Sequence, residues 1–251
     1  RAGLVGADGP THHGCFDISY LQTVPNMTVT APKDGAELRA LMRHAVEEPH
    51  RGPISIRYPR ASVPSEPGED FAPLEWGAWE TLREGERVAV LAVGTMVQNA
   101  LIAADKVSRE TGDEVTVINC RFIKPLDLAV LEEVAGHYDA VITVEENALL
   151  GGFGSTVARV LNELSFDGRV ISLGIPDEFV THGTIAGLWR ELGLDADAIA
   201  RRISEALGAR KNGRKSLLSR LTFRKGPHKT DAPAPLAAEA LAPTGSDDTT
   251  R

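Results

Sequence analysis

"RVAVLAVGTMVQNALIAADKVSRETGDEVTVINC", residues 87 to 120, decides the fold class. "RVAVLAVG" is a nearly unbroken apolar run of strand length, the pattern of a strand buried on both faces. "MVQNALIAADKVSRETG" carries apolar residues at helical spacing and ends at Gly112, a residue suited to terminating a helix. "EVTVINC" then reads as a second buried strand. Two consecutive strands joined by a helix of this length lie side by side and parallel.

The same alternation continues toward the C-terminus. "FIKPLD" reads as a turn into the helix "LAVLEEVAGHY", and "AVITVEE" is the third strand. "GGFGSTVARVLNEL" is a glycine-opened helix, "RVISLGIP" a fourth strand and "ADAIARRISEAL" a closing helix. "THG", residues 181 to 183, marks another helix start, with His182 expected in a structural or interface position.

Toward the N-terminus a smaller unit of the same class appears. "DISYLQTV" is a short helix and "MTVTAP" a β-branched, alternating strand. "DGAELRALMRHAVEE" has Asp34 at a helix N-cap and Leu38, Leu41, Met42 and Ala45 at core spacing. "GPISIRYPR" is a strand closed by Pro59. The expected architecture is therefore α/β, with two consecutive layered units and mostly parallel sheets. The units span residues 1–60 and 76–208, joined by a Pro-, Ser- and acid-rich linker over 61–75. Residues 209–251 read as a disordered tail, first basic and then Pro/Ala-rich.

Charge follows that division. Residues 209–251 hold nine Lys/Arg and four Asp/Glu, whereas residues 1–208 hold 18 basic and 31 acidic residues. An acidic body argues against nucleic acid as a partner. The basic run from Arg210 to Lys229 is expected to be solvated, the alternative being contact with RNA, phosphate or a membrane surface. No apolar run of membrane-spanning length and no signal-peptide pattern is present, so no membrane association is expected. Cys15 and Cys120 form no CxxC or zinc spacing, which points to a reducing cytoplasm.

The chemistry-bearing stretch is "GADGPTHHGCFD", residues 6 to 17. Gly6 and Gly9 permit tight turns that display Asp8, Thr11, His12 and His13. Histidine is suited to moving protons near neutrality, and an aspartate can orient it or hold a substrate hydroxyl. Composition leaves the alternative of an exposed surface loop open. Adjacent histidines rarely face one point, so no metal site is expected here. In "IRYPR" the forks of Arg57 and Arg60 suit a phosphate, yet strand geometry separates residues three apart. The alternative is solvated arginine. "LLGGFGST" has the look of a phosphate cradle but matches neither GxGxxG nor the Walker pattern, so close packing is the preferred reading. Glu145, Glu146 and Asn147 beside it are expected to anchor or cap neighbouring segments, with acid–base work as the alternative.

Residues 1–45 followed by "GPISIRYPR" resemble the 1-deoxy-D-xylulose-5-phosphate synthases, a transketolase-type family dependent on thiamine diphosphate. "GTMVQNAL", "VINCRFIKPLD", "VEENALLGGFGS" and "LGIPDEFVTHG" resemble that family's C-terminal domain. The resemblance covers residues 1 to about 208. It implies part of a pyrimidine-binding domain followed by the C-terminal domain, hence a C-terminal fragment inactive by itself. It implies condensation of pyruvate with D-glyceraldehyde 3-phosphate, with decarboxylation, giving a precursor of isoprenoids, thiamine and pyridoxal. His12 would be the acid/base at the acceptor aldehyde, Asp8 would bind the acceptor's hydroxyl, and Arg1 and Arg60 its phosphate. Thiamine diphosphate and Mg²⁺ would be held by residues upstream of Arg1, because no GDG motif occurs here. The full-length enzyme would be a cytoplasmic homodimer. The family often has Gln where this chain has His13, which receives no role. Two rival readings remain: a transketolase, and a non-catalytic interaction or regulatory module on the same fold.

Overall fold

A computed structural model describes residues 1–47, 52–62 and 74–209. The basic run from Arg210 to Lys229, the rest of the tail and most of the linker stretch lie outside the described residues.

The larger sheet contains β3 (Glu80–Arg83), β4 (Val88–Ala92), β5 (Thr116–Asn119), β7 (Ala140–Ala148) and β8 (Arg169–Ile175), in the order β3-β5-β4-β7-β8. β4, β5, β7 and β8 are parallel, and β3 closes one edge antiparallel to β5. Every residue of β4, β5 and β7 is buried. That is why these stretches read as apolar runs instead of alternating. β3 was not legible in the sequence, because "ETLR" lies on a half-exposed edge where polar residues are tolerated.

Helices cover both faces. α3 (Met96–Thr111) turns Met96, Val97, Ala100, Ala103, Ala104 and Val107 onto one face, where α7 (Ala196–Gly208) also packs. α4 (Leu128–His137) and α5 (Phe153–Glu163) cover the other through Leu131, Val134, Phe153, Val157 and Leu161. Fully burying a Leu- or Phe-sized side chain stabilises by roughly 1.5–3 kcal/mol, so these two layers dominate the core. The helix boundaries are chemically marked. Gly112 takes the left-handed conformation after α3, and Asp127, Thr184 and Asp195 cap α4, α6 (Ile185–Leu192) and α7 with their side chains.

The smaller sheet has the order β2-β1-β6, from β2 (Ile54–Ile56), β1 (Thr28–Thr30) and β6 (Phe122–Lys124). β6 corrects the expectation for "FIKPLD". Residues 122–124 first form a strand antiparallel to β1, and the chain turns only afterwards. Long-range pairing supplies hydrogen bonds that a local reading cannot see. α1 (Asp17–Gln22) and α2 (Gly35–Glu47) pack against this sheet. Asp34 Oδ1 accepts the Glu37 N–H at 2.8 Å, the expected N-cap contact. Met42 differs from expectation: it is exposed, while Glu37 is buried among Lys33, Asn119 and Arg121. A buried carboxylate with several donors replaces apolar contact on that face.

Candidate active site

The glycine-rich loop is closed at its base by paired backbone hydrogen bonds between Gly3 and Gly14, both 2.8 Å. A Cβ on Gly14 would lie 1.5 Å from the Arg1 carbonyl oxygen, so only glycine fits there. Between these residues the chain makes a short turn over Gly6–Asp8. The base is bolted to the larger sheet. Glu146, at the C-terminal half of β7, accepts the Leu4 N–H at 2.7 Å, the Trp189 indole N–H at 3.0 Å and the Thr95 hydroxyl at 3.1 Å.

Asp8 and the two arginines meet at one oxygen. Arg1 Nη1 donates to Asp8 Oδ2 at 2.6 Å and Arg60 Nη1 to the same oxygen at 3.1 Å. The Arg1 hydrogen bond holds the Asp8 carboxyl below its ordinary range, with the charges of Arg60, Arg1 and His12 adding to it against some desolvation. Asp8 is therefore a carboxylate that only accepts hydrogen bonds. Arg60 reaches this point because the chain leaves β2 through Tyr58 and Pro59. The Ala2 N–H, bonded to the Tyr58 carbonyl at 3.0 Å, fixes that path. His12 is exposed and pairs its Nδ1 with Thr11 Oγ1 at 2.9 Å. Arg1, His12 and Arg60 line a common cleft of about 880 Å³ with Tyr20 and Tyr58. Two cations and an imidazole on one opening, with the Asp8 carboxylate bonded to both cations at its edge, suit a small phosphorylated, hydroxylated molecule.

The two arginines of "IRYPR" divide, but both lie beyond the end of β2 at Ile56, so it is the path through Tyr58 and Pro59, not strand alternation, that separates them. Arg57 keeps only 5% of its side chain exposed, against 66% for Arg60. Arg57 donates to Asp17 Oδ2 and to the carbonyls of Gly14 and Glu146, so it builds the floor of the cleft. Cys15 is buried beside it. Burial, with the Glu146 charge adding, pushes its thiol up to about 12, so it is no nucleophile.

Glu145 and Glu146 anchor and cap. Glu145 accepts the N–H groups of Phe153 and Gly154 at 2.8 and 2.7 Å, at the start of α5. The glycine-rich cradle is thus filled by the protein's own carboxylate. Burial raises Glu145 to about 7 and also raises Glu146. Asn147 donates to Ser19 Oγ and the Ala148 carbonyl. The anchoring role expected of Glu146 is the one the structure shows, whereas the roles of Arg57 and Trp189 carried no sequence signal, because their partners lie 40 or more residues away.

Among the described residues no three His, Cys, Asp or Glu side chains come together to hold a metal ion. Asp17, the carboxylate that lines the cleft, is paired with Arg57, and Glu146 accepts from Leu4, Trp189 and Thr95. These residues do not fit the metal–diphosphate end of thiamine diphosphate.

Residues 1–66 match the transketolase pyrimidine-binding domain and residues 77–199 the transketolase C-terminal domain. The chain is 48% identical over 207 residues to the 1-deoxy-D-xylulose-5-phosphate synthase of Aquifex aeolicus, covering 82% of this chain and 32% of that protein. Identity to a synthase of Thermus thermophilus is 46% over 206 residues, covering 81% and 32%. The chain thus spans about a third of the length of these curated relatives. Among solved structures it is similar to a split-gene transketolase described as an inactive beta4 tetramer, with TM-score 0.69 and 33% identity over 79% of this chain and 62% of that one. A transketolase mutant from Pichia stipitis shares the fold, with TM-score 0.58 and 19% identity over 81% of this chain and 28% of that one.

Proposed function

The chain belongs to the transketolase family, and from that premise we propose that it supplies the acceptor-substrate side of a 1-deoxy-D-xylulose-5-phosphate synthase. Similarity to such synthases supports dependence on thiamine diphosphate. The observation that carries the acceptor assignment is the convergence of Arg1 and Arg60 on Asp8 at the cleft edge.

In this reading the acceptor is D-glyceraldehyde 3-phosphate and the donor is pyruvate. Each arginine spends one Nη on Asp8, and a guanidinium has five N–H donors. Both can therefore take a phosphate oxygen without releasing the carboxylate. Asp8, kept anionic, accepts a hydrogen bond from the acceptor's hydroxyl. His12 stands ready to hold or move the proton at the acceptor's aldehyde oxygen. Thiamine diphosphate with Mg²⁺ is held by other segments, in the same polypeptide or a partner, and the complete enzyme is a cytoplasmic homodimer. No helix among the described residues is long and apolar enough to cross a membrane.

Two measurements test this. Titration calorimetry of the 251-residue chain with thiamine diphosphate and Mg²⁺ should give no binding heat; tight binding would overturn the assignment of the cofactor to other segments. The complete enzyme, assembled with the segments its relatives carry, should form product from pyruvate and glyceraldehyde 3-phosphate. Activity only with a ketose phosphate donor would mean a transketolase, and none with either a non-catalytic module.

A further inference from the structure

His13 follows the proposed acid/base and is turned away from its function. Its Nδ1 accepts the Val5 N–H at 3.0 Å. An amide N–H can be received only by the unprotonated ring nitrogen, so the proton of the neutral ring sits on Nε2. That nitrogen lies 3.2 Å from the Thr181 carbonyl oxygen, which an N–H suits. One imidazole therefore joins the two limbs of the glycine-rich loop and ties both to the segment between β8 and α6.

The rest of that contact has the same sense. The Gly183 N–H donates to the Gly6 carbonyl at 3.3 Å. A Cβ on Gly6 would lie 3.0 Å from the Gly183 oxygen, and one on Gly9 would lie 3.3 Å from His182 Cβ. The turn carrying Asp8 is thus pressed directly on residues 182–183. Asp8 ends the short Gly6–Asp8 turn and His12 directly precedes His13, so both lie within the span that the Val5–His13 contact closes. Displacing a positioned group by an ångström is costly in rate, so the clamp has a direct bearing on acceptor binding.

We propose that His13 is a positioning residue, a tautomer-fixed latch that sets the acceptor loop against Thr181 and thereby the spacing of Asp8 and His12. The consequence for the acceptor rests on the function proposed above; the latch itself does not. A glutamine at this position keeps the polarity, since its amide oxygen accepts and its N–H donates. Leucine keeps bulk and loses both bonds.

The test has two arms. In the 251-residue chain labelled with ¹⁵N-histidine, a long-range ¹H–¹⁵N spectrum should show His13 with bare Nδ1 and protonated Nε2, assigned by the peaks lost in His13→Gln. The opposite tautomer overturns the latch. In the complete enzyme, His13→Leu should raise KM for glyceraldehyde 3-phosphate about fivefold or more while KM for pyruvate stays within about twofold. His13→Gln should stay within about twofold for both. A leucine variant like wild type, an equal rise for both substrates, or a glutamine variant as impaired as leucine overturns the positioning role. A wild-type enzyme that forms no product from these substrates overturns the proposed reaction instead, and the spectrum then decides the latch.

Discussion

Arg57 donates from Nε to Asp17 Oδ2 at 2.8 Å, and this pair lies under the cleft whose rim carries Arg60. The guanidinium also satisfies the Gly14 and Glu146 carbonyls. Removing one partner of a buried ion pair leaves the other uncompensated, at a cost of about 3–5 kcal/mol. Arg57→Met should therefore destabilise the chain by about that amount in urea denaturation. Arg57→Lys should recover little, because an ammonium cannot reproduce the planar fork. A neutral effect of Arg57→Met would show that the floor of the cleft is not held this way.

Arg60→Ala should behave in the opposite manner. The side chain is largely exposed, so the denaturation midpoint should hardly move. In the complete enzyme, losing a charge-assisted contact to phosphate should raise KM for glyceraldehyde 3-phosphate about tenfold or more. KM for pyruvate should change little. Equal effects on both substrates would count against a phosphate role.

Glu145 makes stability depend on pH. Burial holds it at about 7 in the folded chain, above its ordinary value of about 4.5. Between those values the unfolded chain has lost the proton that the folded chain keeps, so stability falls as pH rises and levels off above about 7. The shift corresponds to about 3 kcal/mol across that window. Glu146, shifted in the same direction, adds to the trend. Urea titrations at pH 5 and pH 8 should show the slope, flattened but not abolished in Glu145→Gln. That variant should also be less stable throughout, because its NH₂ group meets an α5 N–H. An unchanged slope would place the titration elsewhere.

Gly154→Ala tests the seat of α5 on the sheet. The added methyl would lie 2.4 Å from Thr143 Oγ1 and 2.7 Å from Ser172 Oγ. Both atoms belong to buried or half-buried strand residues with little room to retreat, so overpacking should cost about 1–3 kcal/mol. Gly112→Ala is the contrast: nothing lies near its Cβ, and its cost comes from the left-handed backbone alone. Similar midpoints for wild type and Gly154→Ala would show that the helix can shift outward.

The alternation of strand and helix was legible because β4, β5 and β7 are buried on both faces and must be apolar whatever their neighbours. The helix ends were legible at Asp34, where the side chain caps α2, and at Gly112, where φ is positive. Edge pairing was not. β3 is polar because one side meets solvent, and the three residues of β6 become a strand only by pairing with β1, some 90 residues earlier.

The sequence by itself determined the α/β class, the apolar core and a loop bearing Asp8 and His12, since burial and turn chemistry act through local pattern. Only the tertiary structure decided that Arg60 faces the cleft while Arg57 supports it, and that Glu145 fills the α5 N-terminus. It alone joined His13 to Val5 and Thr181. Each of these depends on donors and acceptors brought together by folding, and hydrogen-bond satisfaction in a buried site is set by distance in space, to which sequence separation gives no guide.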